Sequence, residues 1–314
     1  MTTRSETSSP TGRRGSLDGV VVVDKPAGWT SHDVVAKVRG VLGERRCGHA
    51  GTLDPEATGV LVIGVGRATR LLRFATALAK SYVGEIVLGT ATSTLDASGT
   101  VTGSFDMSAL TPDEVRTAAR RLTGRILQTP PMVSAVQVAG RRLHELARVG
   151  VEVERRPRPV EVFSFQVDPT DDRAVYRLAV ECSSGTYVRA LAADLGVALG
   201  GGAHLRSLRR LAVGRFSVTE AVPLDALGVD DVRPRGELVA HLPSVVAEAT
   251  VARAIAHGRV LSRQAVGATG EGPWAVFDAF GQLLAVYAPF GVERLKPLVV
   301  VCGADPGGGA SSAE

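Results

Sequence analysis

The sequence predicts an α+β fold, a large domain followed by a small β-rich one, and three observations carry that expectation. Helix and strand signals follow one another irregularly, with antiparallel-looking strands, instead of the strict alternation of a doubly wound sheet. The stretch at 223–246, which includes PLDALGVDDVRPRGELVAHLPS, turns acidic and proline-punctuated, as at the end of a domain leading into a linker, and short strands follow it. The 314 residues are 45% hydrophobic and 22% charged, which supports a true core and excludes a disordered or collagen-like body.

The run GVVVVDKP from Gly19 has the β-branched density of a buried strand, stopped by Pro26 and Gly28. A helix follows: Thr30 or Ser31 caps it, Asp33 suits its first turn, and Val34, Val35, Val38 and Val41 form its apolar face before Gly43. CGHAGTLDPEATG has no periodicity and reads as a loop feeding the strand VLVIGVG, with a second helix over Ala68–Ala79. Strands are expected at Tyr82–Leu88, Val160–Val167 and Tyr176–Cys182. Thr111-Pro112-Asp113 opens a helix, cap then proline, that runs to about Gly124, and YVRALAADLGVALG is a further helix. WAVFDAFGQLLAVYAPF gives two strands about a Gly281 turn and LKPLVVV a third, so residues 247–302 are expected to close a compact barrel. Residues 1–16 and 303–314 have little to bury and read as solvated tails, leaving 17–246 as the main domain.

The N-terminus lacks the apolar stretch of a signal peptide, and no window approaches the roughly 18 apolar residues of a membrane span. The protein is therefore expected in the cytoplasm, with no membrane partner. Cys47, Cys182 and Cys302 are far apart and odd in number, which argues against a disulfide framework or a zinc site. The formal charge is only +4 and the pI about 9.2, yet the arginines cluster. Arg141, Arg142, Arg148, Arg155, Arg156 and Arg158 fall in one stretch and Arg206, Arg209, Arg210 and Arg215 in another, and such clusters either bind phosphates or form a solvated face. GVGRAT at Gly64–Thr69 lacks the third glycine and the later acidic residue of a dinucleotide turn. There is no Walker loop or G-x-S-x-G elbow, and no second histidine follows His144-Glu145. Hydride transfer, phosphoryl transfer and metal-assisted hydrolysis lack their apparatus, and no cofactor or metal is expected.

What remains is the loop GHAGTLDPEATGVL. Pro55 restricts Asp54 to extended backbone, and Gly51 and Gly59 admit a close approach, so the loop is built to present a carboxylate. An Asp-Pro turn alone would more often just cap local N–H groups. The wider pattern reverses those odds. Gly48, His49, Gly51, Leu53, Asp54, Pro55, Ala57, Gly59 and Leu61 fill the nine fixed positions of G-H-x-G-x-L-D-P-x-A-x-G-x-L. Lys25-Pro26, Lys80-Ser81-Tyr82, Ser184-Gly185-Thr186-Tyr187-Val188-Arg189 and Leu208-Arg209-Arg210-Leu211 accompany them in order. On these motifs, which span most of the chain, the sequence resembles the TruB family of tRNA pseudouridine synthases.

The resemblance implies the pseudouridine synthase fold, a mixed and largely antiparallel sheet flanked by helices, with a small C-terminal PUA-like unit that binds RNA. It implies an enzyme of the stand-alone bacterial type, monomeric and without an obligatory protein partner, that acts on uridine 55 in the T arm of tRNA. Such an enzyme flips the base out, breaks the N1–C1′ bond, turns the uracil and rejoins it through C5, with no cofactor. Asp54 would be its catalytic carboxylate, as nucleophile or as stabiliser of charge at C1′. Arg189 would pair with it, since a cation within about 4 to 6 Å favours the ionised form. Tyr82 would stack on the uracil and accept a proton from the ribose, with Tyr187 and Leu211 lining the pocket. His49 would hold loop nucleotides displaced by flipping, Lys25 and Asp96 would lie on the substrate side, and Arg141, Arg142, Arg209 and Arg210 would anchor phosphates.

Two other classes compete. A non-catalytic RNA-binding or tRNA chaperone protein on the same scaffold has no use for an arginine-paired carboxylate beside a stacking ring. A glycosidase using Asp54 and Glu56 would need its carboxyls about 5 to 9 Å apart across a sugar, and nothing else in the chain resembles a sugar cleft.

Overall fold

The computed structural model describes residues 17–134, 137–138, 141–142, 151 and 153–303; the expected tails, 1–16 and beyond 303, lie outside them. Seven main strands build one sheet: β1 Gly19–Lys25, β2 Thr58–Val65, β3 Lys80–Leu88, β4 Gly124–Gln128, β5 Arg158–Pro169, β6 Val175–Cys182 and β7 Ala203–Val213. Their order is β1-β2-β7-β3-β6-β5-β4, with the short strand Val222–Pro223 outside β1. Neighbours run antiparallel except β7 with β2 and Val222–Pro223 with β1. The fold is thus α+β with a mixed, largely antiparallel sheet, as expected.

The local signals explain the elements that matched. In α1, Ser31–Leu42, Thr30 and Asp33 form a capping box and Gly43 closes the end in the left-handed region. In α2, Pro112–Arg121, Thr111 and Glu114 do the same with proline in the first turn. The helix expected over Ala68–Ala79 is shorter: a 3-10 turn, Gly66–Leu71, leads into Leu72–Thr76. Lys80 stops it, because its buried ammonium takes the carbonyls of Thr76 and Leu78.

β7, the strand that joins the two halves of the sheet, was not foreseen. Its leucines 205, 208 and 211 recur every third residue, its arginines break binary patterning, and bulges after Leu205 and Arg210 disrupt the alternation. The stretch at 223–246 is likewise no loose linker. Arg233–Pro234 pairs with β1, and Leu224, Leu227, Leu238 and Val239 are buried, so its prolines end short elements instead of marking open chain.

The last part of the chain forms an open five-stranded sheet, a half-barrel with the helix Ala249–Ala256 against it, rather than a closed barrel. Its order is Ser244–Val246, Trp274–Phe277, Leu283–Pro289, Arg294–Val300 and Leu261–Ser262, so it begins just before residue 247. Strand alternation splits it into two faces. Trp274 and Val276 pack inside the unit, whereas Ala275, Leu283, Val286 and Val299 join Val20, Val62, Leu71 and Phe74 of the main sheet in one cluster. Arg235 pairs with Asp18, and Arg67 and Arg70 donate to the carbonyls of Val301 and Val300.

Gly59 lets β2 and β7 meet: its φ is +101°, and a Cβ there would lie 2.2 Å from the Arg210 carbonyl oxygen. Gly59→Ala is expected to destabilise the protein by roughly 2 kcal/mol or more, because neither strain nor overlap can relax without parting the strands. Denaturant midpoints at unchanged slope would check this.

Candidate active site

The loop between Cys47–His49 and β2 carries Asp54, and its backbone is held at every step. Arg210 on β7 donates to the carbonyls of Gly51 (3.2 Å) and Thr52 (3.3 Å). Ser31 donates to the Leu53 carbonyl and accepts the Leu53 N–H, at 3.1 and 2.9 Å. The Asp54 carbonyl takes the N–H of Ala57, and the Pro55 carbonyl takes both the Gly28 N–H and the Lys25 ammonium. Lys25 and Arg210 are buried, at 0% and 1% exposure, so their donors serve the loop and not solvent.

Arg189 supplies the counter-charge. It enters from the first turn of α3, Val188–Ala198, whose start is fixed by Gln128: the buried amide accepts the Tyr187 N–H at 2.7 Å and donates to the Tyr187 carbonyl at 3.1 Å. The guanidinium grips Asp54 through two nitrogens, Nε to Oδ2 at 2.9 Å and Nη2 to Oδ1 at 3.2 Å. Its remaining donors go to Asp96 Oδ2 at 3.3 Å and to the carbonyls of Thr94 and Val133, both at 2.9 Å. Arg189 is thus buried and saturated, while the Asp54 side chain keeps 41% of its surface open toward the cavities.

The loop carrying Asp96 is bent to reach this point. Leu95 has a φ of +64°, a costly conformation for a branched side chain, and is pinned because its carbonyl accepts the Leu205 N–H of β7. Asp96 Oδ1 is itself held by the hydroxyls of Thr94 and Ser98, which turns Oδ2 toward Arg189.

Asp54 and Arg189 stand between two cavities. One, of about 230 Å³, is lined by Tyr82, Tyr187, Lys80, Leu208, Arg210 and the Ser184–Thr186 turn. The other, of about 420 Å³, is lined by Glu56, Asp96, Ser98, Arg206 and Ser207. The first suits a planar base against a tyrosine, the second a polar, charged segment. Burial pushes the Tyr82 phenol above its ordinary pKa, so the ring meets a ligand as a neutral phenol. Among the described residues no cluster of His, Cys, Asp or Glu could hold a metal ion.

A half-buried carboxylate gripped by a buried bidentate arginine, opening on a base-sized cavity with a tyrosine wall, suits chemistry on a flipped nucleoside. Comparison with known proteins agrees. Residues 39–188 match the model of the TruB family pseudouridylate synthase N-terminal domain, and residues 189–232 that of the tRNA pseudouridylate synthase B C-terminal domain. The chain belongs to the TruB family. It is 46% identical over 295 residues to the tRNA pseudouridine synthase B of Thermobifida fusca, covering 91% of this chain and 99% of that protein. To the Streptomyces coelicolor protein of the same name it is 47% identical over 279 residues, covering 86% and 92%. A chain in a solved Cbf5-Nop10-Gar1 complex superposes with a TM-score of 0.72 at 26% identity, covering 92% of this chain and 86% of that one.

Within this TruB chain several residues expected to touch substrate do other work. Lys25 is a buried brace: its ammonium donates to the carbonyls of Pro26, Trp29 and Pro55 at 2.7 to 2.8 Å, and burial lowers its pKa to about 8. Arg210 is buried under the loop, its Nε donating to the Val60 carbonyl at 2.7 Å. Arg209 is clamped on Asp24 at 2.6 and 3.0 Å, with 39% of its side chain exposed. Leu211, the extra residue of the bulge after Arg210, is not among the residues lining either cavity, and Leu208 lines both. Side chains two apart on a strand share a face, so Arg210 and Leu208 go together and Leu211 does not.

Arg141 and Arg142 pair as backbone with Gln137 and Val138, and their side chains, like all of Arg148, lie outside the described residues. His49 sits beside the loop: its Nδ1 accepts the Gly51 N–H at 3.3 Å, and its ring meets that of His32 edge-on, centroids 5.5 Å apart. Burial pushes its pKa down to about 4, which leaves it neutral with Nε2 as donor. Lys80 lines the cavity and Gln128 fixes the start of the Arg189 helix, roles beyond those the resemblance implies. The K-x-Y motif pointed to Lys80, whereas nothing in the sequence around Gln128 reveals that its amide caps a helix 60 residues on.

Burial is the largest influence on the Asp54 carboxyl and raises its pKa; Asp96 adds to the rise, and Arg189 pulls the other way. The arginine therefore limits the shift without cancelling it. For a reaction that uses Asp54 in its ionised form, single-turnover rates should fall with acid at a midpoint above the ordinary value of about 3.9. Arg189→Gln, which deletes the opposing charge, should move that midpoint upward, and a pH series on both proteins checks the sign.

Arg210→Lys gives a second prediction. One ammonium cannot span the carbonyls of Gly51, Thr52 and Val60, so the loop loosens and single-turnover rates drop about tenfold or more, about 1.4 kcal/mol. Affinity for RNA and its salt slope should hold, the reverse of what loss of a phosphate anchor would give.

Proposed function

We propose that this chain isomerises uridine 55 in the T loop of tRNA to pseudouridine, with Asp54 as the essential carboxylate. The observation that carries the reading is the bidentate Arg189–Asp54 pair at the mouth of the Tyr82 cavity, in a member of the TruB family. The target nucleotide leaves the stacked T loop, at a cost of a few kcal/mol, and its uracil lies against Tyr82 and Leu208. Asp54 then acts on the ribose or the base, or stabilises charge at C1′, while the N1–C1′ bond breaks. The uracil stays confined in the small cavity, turns and rejoins through C5, so atoms and oxidation state balance with no cofactor.

In the same reading Arg189 and Asp96 orient Asp54, His49 contacts the displaced loop nucleotides, and Tyr187 walls the pocket. Arg141 and Arg142, with the exposed Arg156 and Arg158, meet phosphates. Residues 17–246 carry the chemistry and 247–302 act as a PUA-like RNA-binding unit. The chain works alone, as a monomer in the cytoplasm. Among the described residues no helix is long and apolar enough to cross a membrane.

Incubation with unmodified tRNA transcript, followed by mapping at single-nucleotide resolution, should show pseudouridine at position 55. Asp54→Asn should abolish it while tRNA affinity stays within about an order of magnitude, because phosphate contacts supply most of the binding. Measurable turnover by the pure Asn variant would sink the assignment, and binding without modification by the wild type would favour the chaperone alternative.

A further inference from the structure

The cavities beside Asp54 do not end there. The 420 Å³ cavity shares Glu56, Ser207 and Leu208 with a third of about 640 Å³, which shares Thr58 and Arg209 with a fourth of about 560 Å³. A row of adjoining cavities therefore extends as a groove from Asp54 along β7 to the outer end of β1. Its far end is formed by Pro26, Trp29, Lys37, Arg209, Leu224 and Asp225. None of these has a part in the chemistry derived above.

The composition of that far end is specific. Trp29 leaves 38% of its surface exposed, unlike Trp274, the chain's other tryptophan, which is 1% exposed. Pro26 and Leu224 make the surroundings apolar, as a platform for a flat ring requires. The exposed Lys37 brings a cation, while the Arg209 charge is already taken up by Asp24. Asp225 on the rim supplies an acceptor suited to a base's exocyclic amine. The platform is also tied to the catalytic loop: one ammonium, that of Lys25, holds the carbonyls of both Trp29 and Pro55, and the Gly28 N–H adds a second bond to Pro55.

We propose that the Trp29 end of the groove is a second nucleotide subsite, where an unpaired nucleotide of the bound tRNA stacks on Trp29 with a phosphate on Lys37. The inference rests on the RNA-modifying reading and extends it to a part of the substrate distant from the reacting uridine. A strand whose target base enters the Tyr82 cavity has a ready path along the groove, and a stacking ring beside a cation is the arrangement that binds unpaired bases without regard to pairing. A free nucleotide offers the same chemistry, so the test must separate the two sources.

Both tryptophans emit, but Trp274 is buried, so quenching by a base that stacks on an exposed ring reports on Trp29. Titration with an unmodified T-arm hairpin should quench the wild type and leave Trp29→Phe unchanged. Trp29→Ala should bind the hairpin about tenfold more weakly, the low end of what one base–aromatic stack contributes, and Trp29→Phe should restore affinity to within about threefold. Lys37→Ala, a change on an exposed helix face that leaves folding intact, should lower the salt slope by about one. At saturating hairpin both alanine variants should convert uridine within about twofold of the wild-type single-turnover rate. No quenching by a hairpin that the wild type converts would overturn the subsite. So would quenching by CMP or UMP alone as complete as that by the hairpin, which would mark a site for free nucleotides. Conversion by the wild type is scored separately, so failure of the catalytic reading is told apart from failure of the subsite.

Discussion

The site depends on buried cations that hold the backbone of one loop. A chain segment with Gly51, Pro55 and Gly59 has no secondary structure to satisfy its carbonyls, and each unpaired one would cost on the order of 1 to 3 kcal/mol if buried. Arg210 and Lys25 supply donors from β7 and β1, and Ser31 supplies one from α1. Two strands of the sheet and the first helix thus converge on a few residues, which is why Asp54 sits rigidly without being on a strand or helix itself. The desolvation of two cations is the cost of that rigidity, visible in the lowered pKa of Lys25.

Arg189 sets the charge balance that the loop geometry exposes. It faces two carboxylates and two carbonyls, so its single charge is shared, and Asp54 keeps a raised pKa in spite of contact at 2.9 Å. A carboxylate fully neutralised by its partner would be a poor nucleophile. One that is half exposed, and only partly compensated, is available to substrate. The strained Leu95 serves the same end from the other side, since it brings the Asp96 loop against β7 where the second carboxylate can share the guanidinium.

Much of this was legible in the chain. Capping boxes at Thr30 and Thr111, the valine run of β1 and the alternation in β3 and β6 are local rules, and they placed those elements correctly. The motif residues Asp54, Tyr82, Tyr187 and Arg189 come together as expected. What sequence could not give was direction. Lys25, Arg209 and Arg210 look like surface cations, and only the fold shows that two point inward and the third is clasped by Asp24. Leu208 and Leu211 are equivalent in a motif but not on a bulged strand. The stretch at 223–246 misled for a related reason, since prolines and acids mark an end to regular structure and are silent on whether that irregular chain is packed.

The shared cluster between the first strand and the last sheet has a bearing on how the chain is made. Val20 and Val62 find Val286 and Val299 as neighbours, so an early and a late part of the polypeptide close one core. During synthesis the face of β1 and β2 emerges long before this part of its cover, and for that interval Leu71 and Phe74 pack it only in part. The contact has nearly the greatest sequence separation that the chain permits, which makes it entropically late in any folding order. The main sheet is therefore finished from the late end of the chain: truncation after residue 246 would uncover the apolar face of β1 and β2, the strand into which the Asp54 loop leads.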